Sequence, residues 1–398
     1  MIGVVELQTT ESLEKYRITW DDLWRQTLPQ SFCSSYAWFS SFARHFLAEG
    51  DLRVLVVSVN GKTIGILPLV NRQVETGVGT LRMLTLPRCR WGCIDGPIGP
   101  NPTATMLLAM RYLQQTQGEW DLLDLREIQK SGGNHQRLTN SFRTADMACC
   151  ERPWDDLPVV KMDGQWRDYW ISRSSRLKKT AAKSREAFSA KGLIELIRQR
   201  KPTPQVHRPN PRLSVLIEGN DNRFATRSHS ASAVDLWTEF ESVANLPERD
   251  LAFLRDVHPQ ASALGMEDLS ILRAGKTPIA AAYGWHVGGH VTTVWIGQRP
   301  DLDDSVKSLL IESLLYDSFE RGDRELAFRD HEHAELVGWA NSNAPNFRYT
   351  HFSSNSPRAQ ILRLNQYVRG WWQTPEPAQP IRPHMKPLQH EPRLLLID

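Results

Sequence analysis

The sequence predicts an α+β or α/β fold built from two similar domains in tandem, each with a mixed, mainly antiparallel sheet flanked by helices. Two observations support this fold class. The chain has 398 residues, which is more than one hydrophobic core usually serves. Each half also shows the same order of patterns, namely helices, a meander of strands, a helix and a strand, although no residue-level repeat accompanies that order.

In the first half, apolar residues recur every three to four positions over residues 11–27 and 35–48, which predicts two amphipathic helices. Two apolar, β-branched runs, 52–59 and 62–70, flank Asn60-Gly61, the strongest short signal for a hairpin. The remaining elements are predicted in this order: a strand over 80–86, a Gly- and Pro-rich loop over 93–102, a helix over 103–116, a strand over 120–128, another helix, and a final pair of strands between Cys149 and Val160.

The second half repeats this order after a basic helical segment from Trp166 to Phe188. Residues 201–213 are rich in proline and polar residues, which favours an extended insertion. Helices are predicted over 233–244 and 248–264, strands over 269–275, 277–287 and 290–298 with turns at Gly275-Lys276 and Gly288-Gly289, a helix over 305–322 that ends at a Gly322 cap, and a strand over 325–330.

These patterns predict a first domain over residues 1–162 and a second over residues 163–373, with a proline-rich insertion near residues 200–230. A loose, proline-rich tail is expected over residues 374–398. Because ligand pockets often form at domain junctions, we expect the first half to supply part of an acceptor cleft there.

Composition and charge narrow the function classes. The formal net charge of +3 is small for this length, so no nucleic-acid partner is expected. The chain does not open on a basic segment followed by an apolar run, and no stretch reaches the roughly 18 apolar residues of a membrane helix. We therefore expect a soluble, cytoplasmic protein. The five cysteines lack a framework spacing, which favours reduced thiols, and Cys89 and Cys93 have no second pair at zinc-ligand spacing.

Residues 269–339 resemble the acyltransferase domain of bacterial CelD-like proteins, which is a GNAT fold linked with cellulose or exopolysaccharide synthesis. The similar features are the hairpin GKTPIAAAYGW, the strand that ends in Ile296-Gly297, Pro300, the leucine-rich helix with its Glu-Arg-Gly end, and Trp339. The basic segment over 172–187 resembles the helix that precedes this domain. The family is related to FemAB-type proteins, in which two such folds lie in tandem. The resemblance therefore implies two GNAT-like domains and an acyl-coenzyme A donor, either acetyl-coenzyme A or another acyl form.

The resemblance also places the donor. In a GNAT fold the pantetheine extends along an exposed strand edge, here residues 290–298. The pyrophosphate lies at the start of the following helix, where unpaired amides and a partial positive charge attract anions. The implied donor-binding residues are Ile296 and Gly297 beside the thioester and Ser305, Val306, Lys307 and Ser308 at the helix start.

Two features of this helix start depart from the family pattern. The family usually has Gly where Lys307 stands, and lysine adds a charge but blocks close approach of the backbone. Acidic residues also crowd the entrance, and they have an alternative role as helix caps that needs no ligand: Asp301, Asp303 and Asp304.

Acyl transfer to an amine needs a neutral nitrogen, a group that removes its proton, and polarisation of the thioester carbonyl. Four residues at the end of the predicted strand 325–330 and directly after it can supply the base: Asp330, His331, Glu332 and His333. Tyr283 and Tyr349 are candidate general acids for the departing thiolate, with core packing as the alternative. Leu336 stands where the family has Lys, so the role of that Lys is missing or relocated.

Alternatives remain open for two of these features. The Asp330–His333 cluster also suits zinc or ferrous iron, but a third ligand at a recognisable spacing is not evident and no metal is expected. The basic segment around Arg173–Arg185 lacks interleaved aromatics, so a solvated helix face is favoured over contact with an acceptor or a donor phosphate.

The sequence therefore predicts an acyl-coenzyme A-dependent N-acyltransferase, most simply an N-acetyltransferase. The expected partner is an amine of a small-molecule or saccharide acceptor, and a link to exopolysaccharide synthesis follows from the family resemblance alone. The alternatives are a non-catalytic GNAT-fold scaffold and a FemAB-like transferase that uses aminoacyl-tRNA. The oligomeric state is not readable from the sequence.

Overall fold

The computed structural model describes residues 2–189, 192–200, 225–227, 236–329 and 334–372. The elements of the first half are β1 (Ile2–Leu7), α1 (Thr10–Lys15), α2 (Arg17–Arg25), a 3₁₀ turn (Phe32–Ser34), α3 (Tyr36–Phe46), β2 (Leu52–Val59), β3 (Lys62–Thr76), β4 (Gly79–Thr85), β5 (Arg88–Cys89), β6 (Gly92–Cys93), α4 (Pro102–Gln115), β7 (Leu122–Gln129), α5 (Gly133–Thr144) and β8 (Cys150–Lys161).

The second half continues the same numbering. Its elements are α6 (Trp166–Ser172), α7 (Ser175–Ser189), β9 (Ile194–Gln199), β10 (Ala225–Arg227), α8 (Leu236–Val243), α9 (Glu248–Leu264), β11 (Glu267–Ala274), β12 (Thr277–Val287), β13 (His290–Gln298), α10 (Ser305–Arg321), β14 (Glu325–Phe328), α11 (Ala334–Trp339), β15 (Ser342–Phe352) and α12 (Pro357–Trp372). The expected tail and most of the expected insertion lie outside the described residues.

Thirteen of the described strands form one sheet, in the order β1-β2-β3-β4-β7-β15-β8-β14-β13-β12-β11-β9-β10, and β5 and β6 form a separate short hairpin. Three neighbouring pairs are parallel, namely β4/β7, β13/β14 and β9/β10, and the others are antiparallel. Each half contributes a meander followed by a helical crossover to a parallel strand, the connection that parallel strands require. The predicted fold class, with a mixed and mainly antiparallel sheet flanked by helices, is confirmed.

The two halves exchange strands at the centre of the sheet. The last strand of the first half, β8, pairs with β14 of the second half, while β15 of the second half pairs with β7 of the first. β8 and β15 also pair with each other. The prediction of two strands between Cys149 and Val160 is wrong, because one long strand spans this region and finds both partners in the other half. The domain boundary at residue 162 stays a prediction, and it falls directly after β8.

Three main clusters of buried apolar residues cover the sheet. One is shared by both halves and packs α2, α3 and the β5/β6 hairpin against α8, α9 and the face of β11–β13. The second lies between the sheet of the second half and α6, α7, α10 and α11. The third lies under α4 and α5 of the first half. We refer to them as the shared core, the second-half core and the first-half core.

Local sequence signals explain several element ends. Asn60 (φ 51°) and Gly61 (φ 76°) both adopt positive φ between β2 and β3, as a tight hairpin turn requires. Gly322 (φ 71°) ends α10 in the left-handed conformation, so the predicted cap is confirmed. The helix predicted over 11–27 divides into α1 and α2 at Tyr16. The basic segment likewise divides into α6 and α7, with extended backbone at Arg173.

A buried ionic network fixes α10 against the edge of the sheet. Arg198 of β9 donates to both carboxylate oxygens of Asp268 in β11, at 2.7 and 2.5 Å, and to Asp317 Oδ2 of α10 at 3.0 Å. Arg200 Nη1 and Nη2 lie 2.9 and 2.8 Å from the carboxylate of Asp323. Buried charges are stable only when they are paired and hydrogen-bonded, so this network holds α10 in one position relative to β13.

Candidate functional site

The strands β13 and β14 separate part-way along their length. Their parallel pairing covers His290 to Thr293 on β13 and ends at Phe328 on β14. The amide of Arg329 still donates to the Thr293 carbonyl at 2.8 Å. β13 continues to Gln298 and pairs with β12 on its other side. Within the described residues, the β13 edge over 294–298 therefore has no strand partner on the β14 side.

A β-bulge lies where this open edge begins. Tyr283 of β12 faces Trp295, but the next residue, Gly284, faces Thr293, so Val294 is an extra residue on β13. A bulge increases the local twist and redirects the backbone groups that follow. A Cβ at Gly284 would lie 2.4 Å from the carbonyl oxygen of Thr292. The close contact between the strands at the bulge thus requires glycine.

The two residues predicted to flank the thioester lie on this open edge. Ile296 is buried in the second-half core. Gly297 lies beneath the indole of Trp295, because a Cβ at Gly297 would be 2.2 Å from Trp295 Cζ2. Trp295 itself belongs to the shared core. Gly297 thus adds no side chain of its own to the edge, and the two residues before it, Trp295 and Ile296, anchor the strand in opposite cores.

The start of α10 lies at the far end of the open edge. Val306 and Ser308 are buried, while Ser305 and Lys307 are partly exposed. The amide of Ser305 donates to Asp303 Oδ1 at 2.8 Å, and the amides of Val306 and Lys307 donate to the carbonyls of Asp303 and Asp304 at 3.1 and 3.0 Å. The amides of Ser305, Val306 and Lys307 are therefore engaged in the first turn.

Charges at this entrance are balanced locally. Lys307 Nζ lies 3.2 Å from Asp304 Oδ1, and Arg299 forms two contacts with Asp301 at 2.9 and 3.0 Å. The hydrogen bond from the Ser305 amide holds the pKa of Asp303 below its usual value. A phosphate at this position must therefore compete with the carboxylate of Asp303, which satisfies the helix start in the same way as an anionic ligand.

The predicted catalytic residues Asp330, Glu332 and His333, together with His331, lie outside the described residues, so their roles stay predictions. No group of three or more His, Cys, Asp or Glu side chains among the described residues has the arrangement of a metal site.

Tyr283 lies in the shared core, whereas Ile296 lies in the second-half core on the opposite face of the sheet. The hydroxyl of Tyr283 lies 3.3 Å from His258 Nδ1. Burial raises the pKa of Tyr283 well above its usual value. Tyr349 is buried in the first-half core, with its hydroxyl 2.5 Å from His135 Nδ1. These surroundings agree with core packing, and any catalytic role of either tyrosine stays a prediction.

Charged residues from both halves form a cluster beside the open edge. No sequence motif predicted this cluster. Arg329, directly after β14, forms an ion pair with Glu127 of β7, and Arg88 Nη2 lies 2.7 Å from the other carboxylate oxygen of Glu127. Glu127 is buried and has a φ of 58°. A positive φ is strained for a residue with a side chain and is concentrated at functional positions.

Asp95 lies at the same junction. Asp95 is exposed as a whole residue. The surrounding protein nevertheless desolvates its carboxyl group and raises its pKa, and the positive charge of Arg329 opposes that shift. Asn134 packs over Gly96 and donates to the backbone carbonyl of Asp95 at 3.1 Å. Burial likewise raises the pKa of the Cys93 thiol. These groups thus lie close together where the two halves meet.

Sequence reasoning missed this cluster because its members lie far apart along the chain and only the strand exchange brings them together. The loop over 93–102 was recognised by its glycines and prolines, but nothing in it indicates that Asp95 faces Arg329. The one local signal for a functional position is Arg329, a charged residue that comes directly after a buried strand.

The basic segment stabilises the fold in addition to forming a solvated surface. Arg173 donates to the carbonyls of Trp339 and Ala340 at the end of α11, at 3.0 and 2.6 Å. Arg185 Nη2 lies 2.5 Å from Glu312 of α10. Arg176 and Lys179 remain exposed. Part of the positive charge therefore supports the fold around α10 and α11, and part forms the solvated helix face that was favoured from the sequence.

One cavity lies away from this site. It has a volume of about 560 Å³ and lies between the beginning of β8, the end of β15 and α12. Its lining includes Cys149, Cys150, Phe352 and Arg363. Burial raises the pKa of the Cys149 thiol to about 12, so that thiol is protonated and unreactive at neutral pH.

Comparisons with known proteins agree with this architecture. Residues 222–333 match the model of an acetyltransferase (GNAT) domain. No curated protein is significantly similar to the chain in sequence. Among solved structures, the chain is similar to FemX, at 9% identity and a TM-score of 0.50, with 90% of this chain and 99% of that chain covered.

Two further structures are similar at lower scores. One is the C-terminal domain of a putative lysylphosphatidylglycerol synthetase from Agrobacterium fabrum, at 11% identity and a TM-score of 0.48, covering 90% of this chain and 96% of that one. The other is a tandem GNAT protein from the clavulanic acid biosynthesis pathway, at 12% identity and a TM-score of 0.41, covering 89% and 100%. At these identities the likeness concerns the fold. Residues 222–333 are thus similar to a GNAT acetyltransferase domain, and membership of the CelD-like group stays a prediction.

Every helix of the described residues is too short or too polar to span a lipid bilayer.

Proposed function

We propose that the protein transfers an acyl group, most simply acetyl, from acyl-coenzyme A to an amine of a small-molecule or saccharide acceptor. The observation that carries the proposal is the open edge of β13 over 294–298, which follows the last paired residues Thr293 and Phe328. A strand edge that lacks a neighbouring strand can pair with an extended ligand through backbone amides and carbonyls. An extended pantetheine arm supplies matching amide groups and completes that edge as a strand would.

In this arrangement the acyl carbonyl lies near Ile296 and Gly297. The amine nitrogen attacks the carbonyl carbon, and negative charge develops on the carbonyl oxygen, where an edge amide of β13 stabilises it. The C–S bond then breaks, the coenzyme A thiolate leaves and takes up a proton, and the amine loses one. Asp330, Glu332 and His333 are the proposed bases, and Tyr283 is the proposed acid.

The charged cluster between the halves marks the side from which we propose that the acceptor approaches. Arg329 joins the end of β14 to Glu127 of the first half, directly beside the point where the open edge begins. Acceptor and donor can therefore approach from different sides of the sheet opening, which is the geometry that a direct transfer between two bound substrates requires.

The helix start of α10 supports the proposal less strongly than the edge does. Asp303 holds the Ser305 amide, and Lys307 is paired with Asp304. Donor phosphates would bind here by displacing Asp303 from the amide and by using the charge of Lys307. The placement at Ser305, Val306, Lys307 and Ser308 is thus part of the proposal. The association with exopolysaccharide synthesis depends on the CelD-like resemblance.

Calorimetric titration with acetyl-coenzyme A tests the proposal. We expect saturable binding by the natural protein and a loss of affinity of about tenfold in Lys307→Glu, because a positive charge beside phosphate is replaced by a negative one. Lys62→Glu, an exposed change in the first half, is the matched control and should bind as the natural protein does. Release of free thiol in the presence of an amine acceptor such as glucosamine then reports the transfer.

The outcomes separate the alternatives. A protein that binds neither acetyl- nor longer acyl-coenzyme A is not an acyl-coenzyme A enzyme, and the GNAT-fold scaffold then becomes the favoured function. Transfer from aminoacyl-tRNA without binding of any acyl-coenzyme A would instead indicate the FemAB-like alternative. If Lys307→Glu binds acetyl-coenzyme A as tightly as Lys62→Glu does, the phosphates do not lie at the start of α10.

A further inference from the structure

The first half has its own sheet opening, and a small cavity fills it. β4 and β7 pair in parallel only at Met83↔Leu122 and Leu84↔Leu123, so the two strands part immediately after Leu84. A cavity of about 140 Å³ lies there, on the same side of the sheet as the side chain of Val70. It occupies the position in the first half that corresponds to the open edge of β13 in the second.

Arginines dominate the polar lining of this cavity. Arg72 of β3, Arg88 of β5 and Arg126 of β7 line it together with apolar side chains such as Val70, Met83 and Leu86. Three guanidinium groups around so small a space repel one another unless negative charge balances them. The combination of converging guanidinium groups and an apolar remainder is typical of sites for anionic groups.

Among the described residues, the two buried carboxylates beside the cavity are each shared between arginines. Glu127 pairs with both Arg88 and Arg329, and Asp124 pairs with both Arg126 and Arg348. Two carboxylates therefore serve four guanidinium groups. Arg72 has a looser contact, with Asp51 Oδ2 3.5 Å from its Nη1.

One guanidinium nitrogen beside the cavity is not satisfied. Arg126 Nε lies 2.5 Å from Asp124 Oδ2, and the Arg126 guanidinium stacks on the Trp154 ring, 4.8 Å from its centroid. Arg126 Nη2 is buried and has no hydrogen-bond partner within the part of the chain that the structure describes. Desolvation lowers the pKa of both Arg72 and Arg126. A buried cationic donor without a partner costs free energy, and an anionic ligand would recover it.

We propose that this cavity binds an anionic group, a carboxylate or a phosphate, that is carried by the acceptor. Its size suits such a group and its nearest atoms. Arg88 lines the cavity and also contacts Glu127, which contacts Arg329 beside the open edge of β13. An acceptor held by its anionic group in the first half can therefore extend along this line of residues toward the donor. The assignment to the acceptor rests on the proposed function, whereas the anion site itself does not.

Calorimetric titrations at low ionic strength test the site with two probes, inorganic phosphate and acetate. We expect saturable binding of at least one probe by the natural protein. Arg126→Gln should lower that affinity by about tenfold, because a charge-assisted hydrogen bond to the anion is lost. Arg111→Gln, on the exposed face of α4, removes one positive charge elsewhere and should have no effect. The probe that binds more tightly identifies the anionic group as phosphate or carboxylate.

Two further measurements keep the test decisive. Arg72→Gln weakens the opposite wall of the cavity without touching Asp124, so it should also reduce probe binding if Arg126→Gln proves too unstable to study. Binding of acetyl-coenzyme A by Arg126→Gln should equal that of the natural protein. The proposal is wrong if neither probe binds saturably, or if Arg72→Gln and Arg126→Gln bind the probes as Arg111→Gln does. If the natural protein binds a probe but does not bind acetyl-coenzyme A, the proposed function is wrong and the anion site stands.

Discussion

The two halves use the same strand–helix–strand unit in different ways. In the second half, β13 continues to Gln298, and α10 begins soon afterwards at Ser305. In the first half, β4 ends at Thr85, and α4 begins only at Pro102. Pro87 lies two residues after the end of β4, and it has no backbone N–H with which to extend the β4 edge. Among the described residues, the second half therefore keeps a long strand edge without a neighbouring strand, and the first half does not.

The long connection of the first half serves the contact between the halves. It contains the β5/β6 hairpin, and Trp91 between these strands is fully buried in the shared core. Trp91 Nε1 donates to Asp250 at 2.8 Å, and the Trp91 carbonyl accepts from Trp285 Nε1 at 2.9 Å. Arg88 and Asp95 come from the same connection.

On the proposed function, the two openings serve different substrates. The opening in the second half is apolar and edge-like, which suits an extended pantetheine arm. The opening in the first half is small and lined by arginines, which suits an anionic group. The strand exchange through β8 and β15 fixes the two openings in one sheet, so their separation does not depend on a flexible linker.

The largest effect is expected where the two halves meet, in Glu127→Gln. The substitution keeps the shape of the side chain and its positive φ but leaves Arg88 and Arg329 without the shared carboxylate. We expect the free energy of unfolding to fall by roughly 3 kcal/mol, because removal of one member of a buried ion pair leaves uncompensated charge. Chemical denaturation measures this, with Glu186→Gln on the exposed face of α7 as the control. Equal stabilities for the two variants would show that the charged cluster does not join the halves.

A smaller effect is expected on the open edge, in Gly297→Ala. The added Cβ would lie 2.2 Å from Trp295 Cζ2, so the indole must move out of the shared core. We expect a loss of about 2 kcal/mol in unfolding free energy, as for other overpacked cores, and weaker binding of acetyl-coenzyme A. Gly77→Ala is the control, since nothing lies within 4 Å of its added Cβ. Unchanged donor affinity in a folded Gly297→Ala protein would indicate that the donor does not follow this edge.

Much of the fold could be predicted from the sequence because its signals are local. Asn60-Gly61 and Gly322 act through their own backbone conformations, and the periodic helices and strands follow from burial of one face. The missed elements have weaker local signals. β15 over Ser342–Phe352 contains Asn343, Pro345 and Asn346, which are unfavourable in strands, and it is held by pairing with β7 and β8.

The candidate site could be predicted only in the part that lies within one half. Ile296 and Gly297 belong to a continuous strand, so a family resemblance could place them on β13, and their contact with a donor stays a prediction. Glu127, Arg88 and Arg329 come from both halves, and only the exchange of β8 and β15 brings them together. Contacts across such an exchange depend on strand order in the sheet, which no spacing in the sequence encodes.

The smallest effect is expected at the start of α10, in Asp303→Ala. Asp303 Oδ1 accepts the Ser305 amide at 2.8 Å, and on the proposed function this carboxylate occupies the place of a donor phosphate. Its removal frees the amide and takes away one negative charge. We therefore expect acetyl-coenzyme A to bind about threefold more tightly at low ionic strength, since a charge at a helix start contributes only a few tenths of a kcal/mol to about 1 kcal/mol. Calorimetric titration measures the change.

The same titration distinguishes the two openings. Asp163→Ala is the control for the change in net charge, because it removes an exposed acid two residues after the end of β8. It should leave the affinity for acetyl-coenzyme A unaltered. The gain in Asp303→Ala should shrink as salt is added, because the charge is exposed and screened. Weaker rather than tighter binding would mean that Asp303 supports the donor site by capping α10. The phosphates would then have to lie elsewhere, and the arginine-lined opening of the first half would be the next place to test.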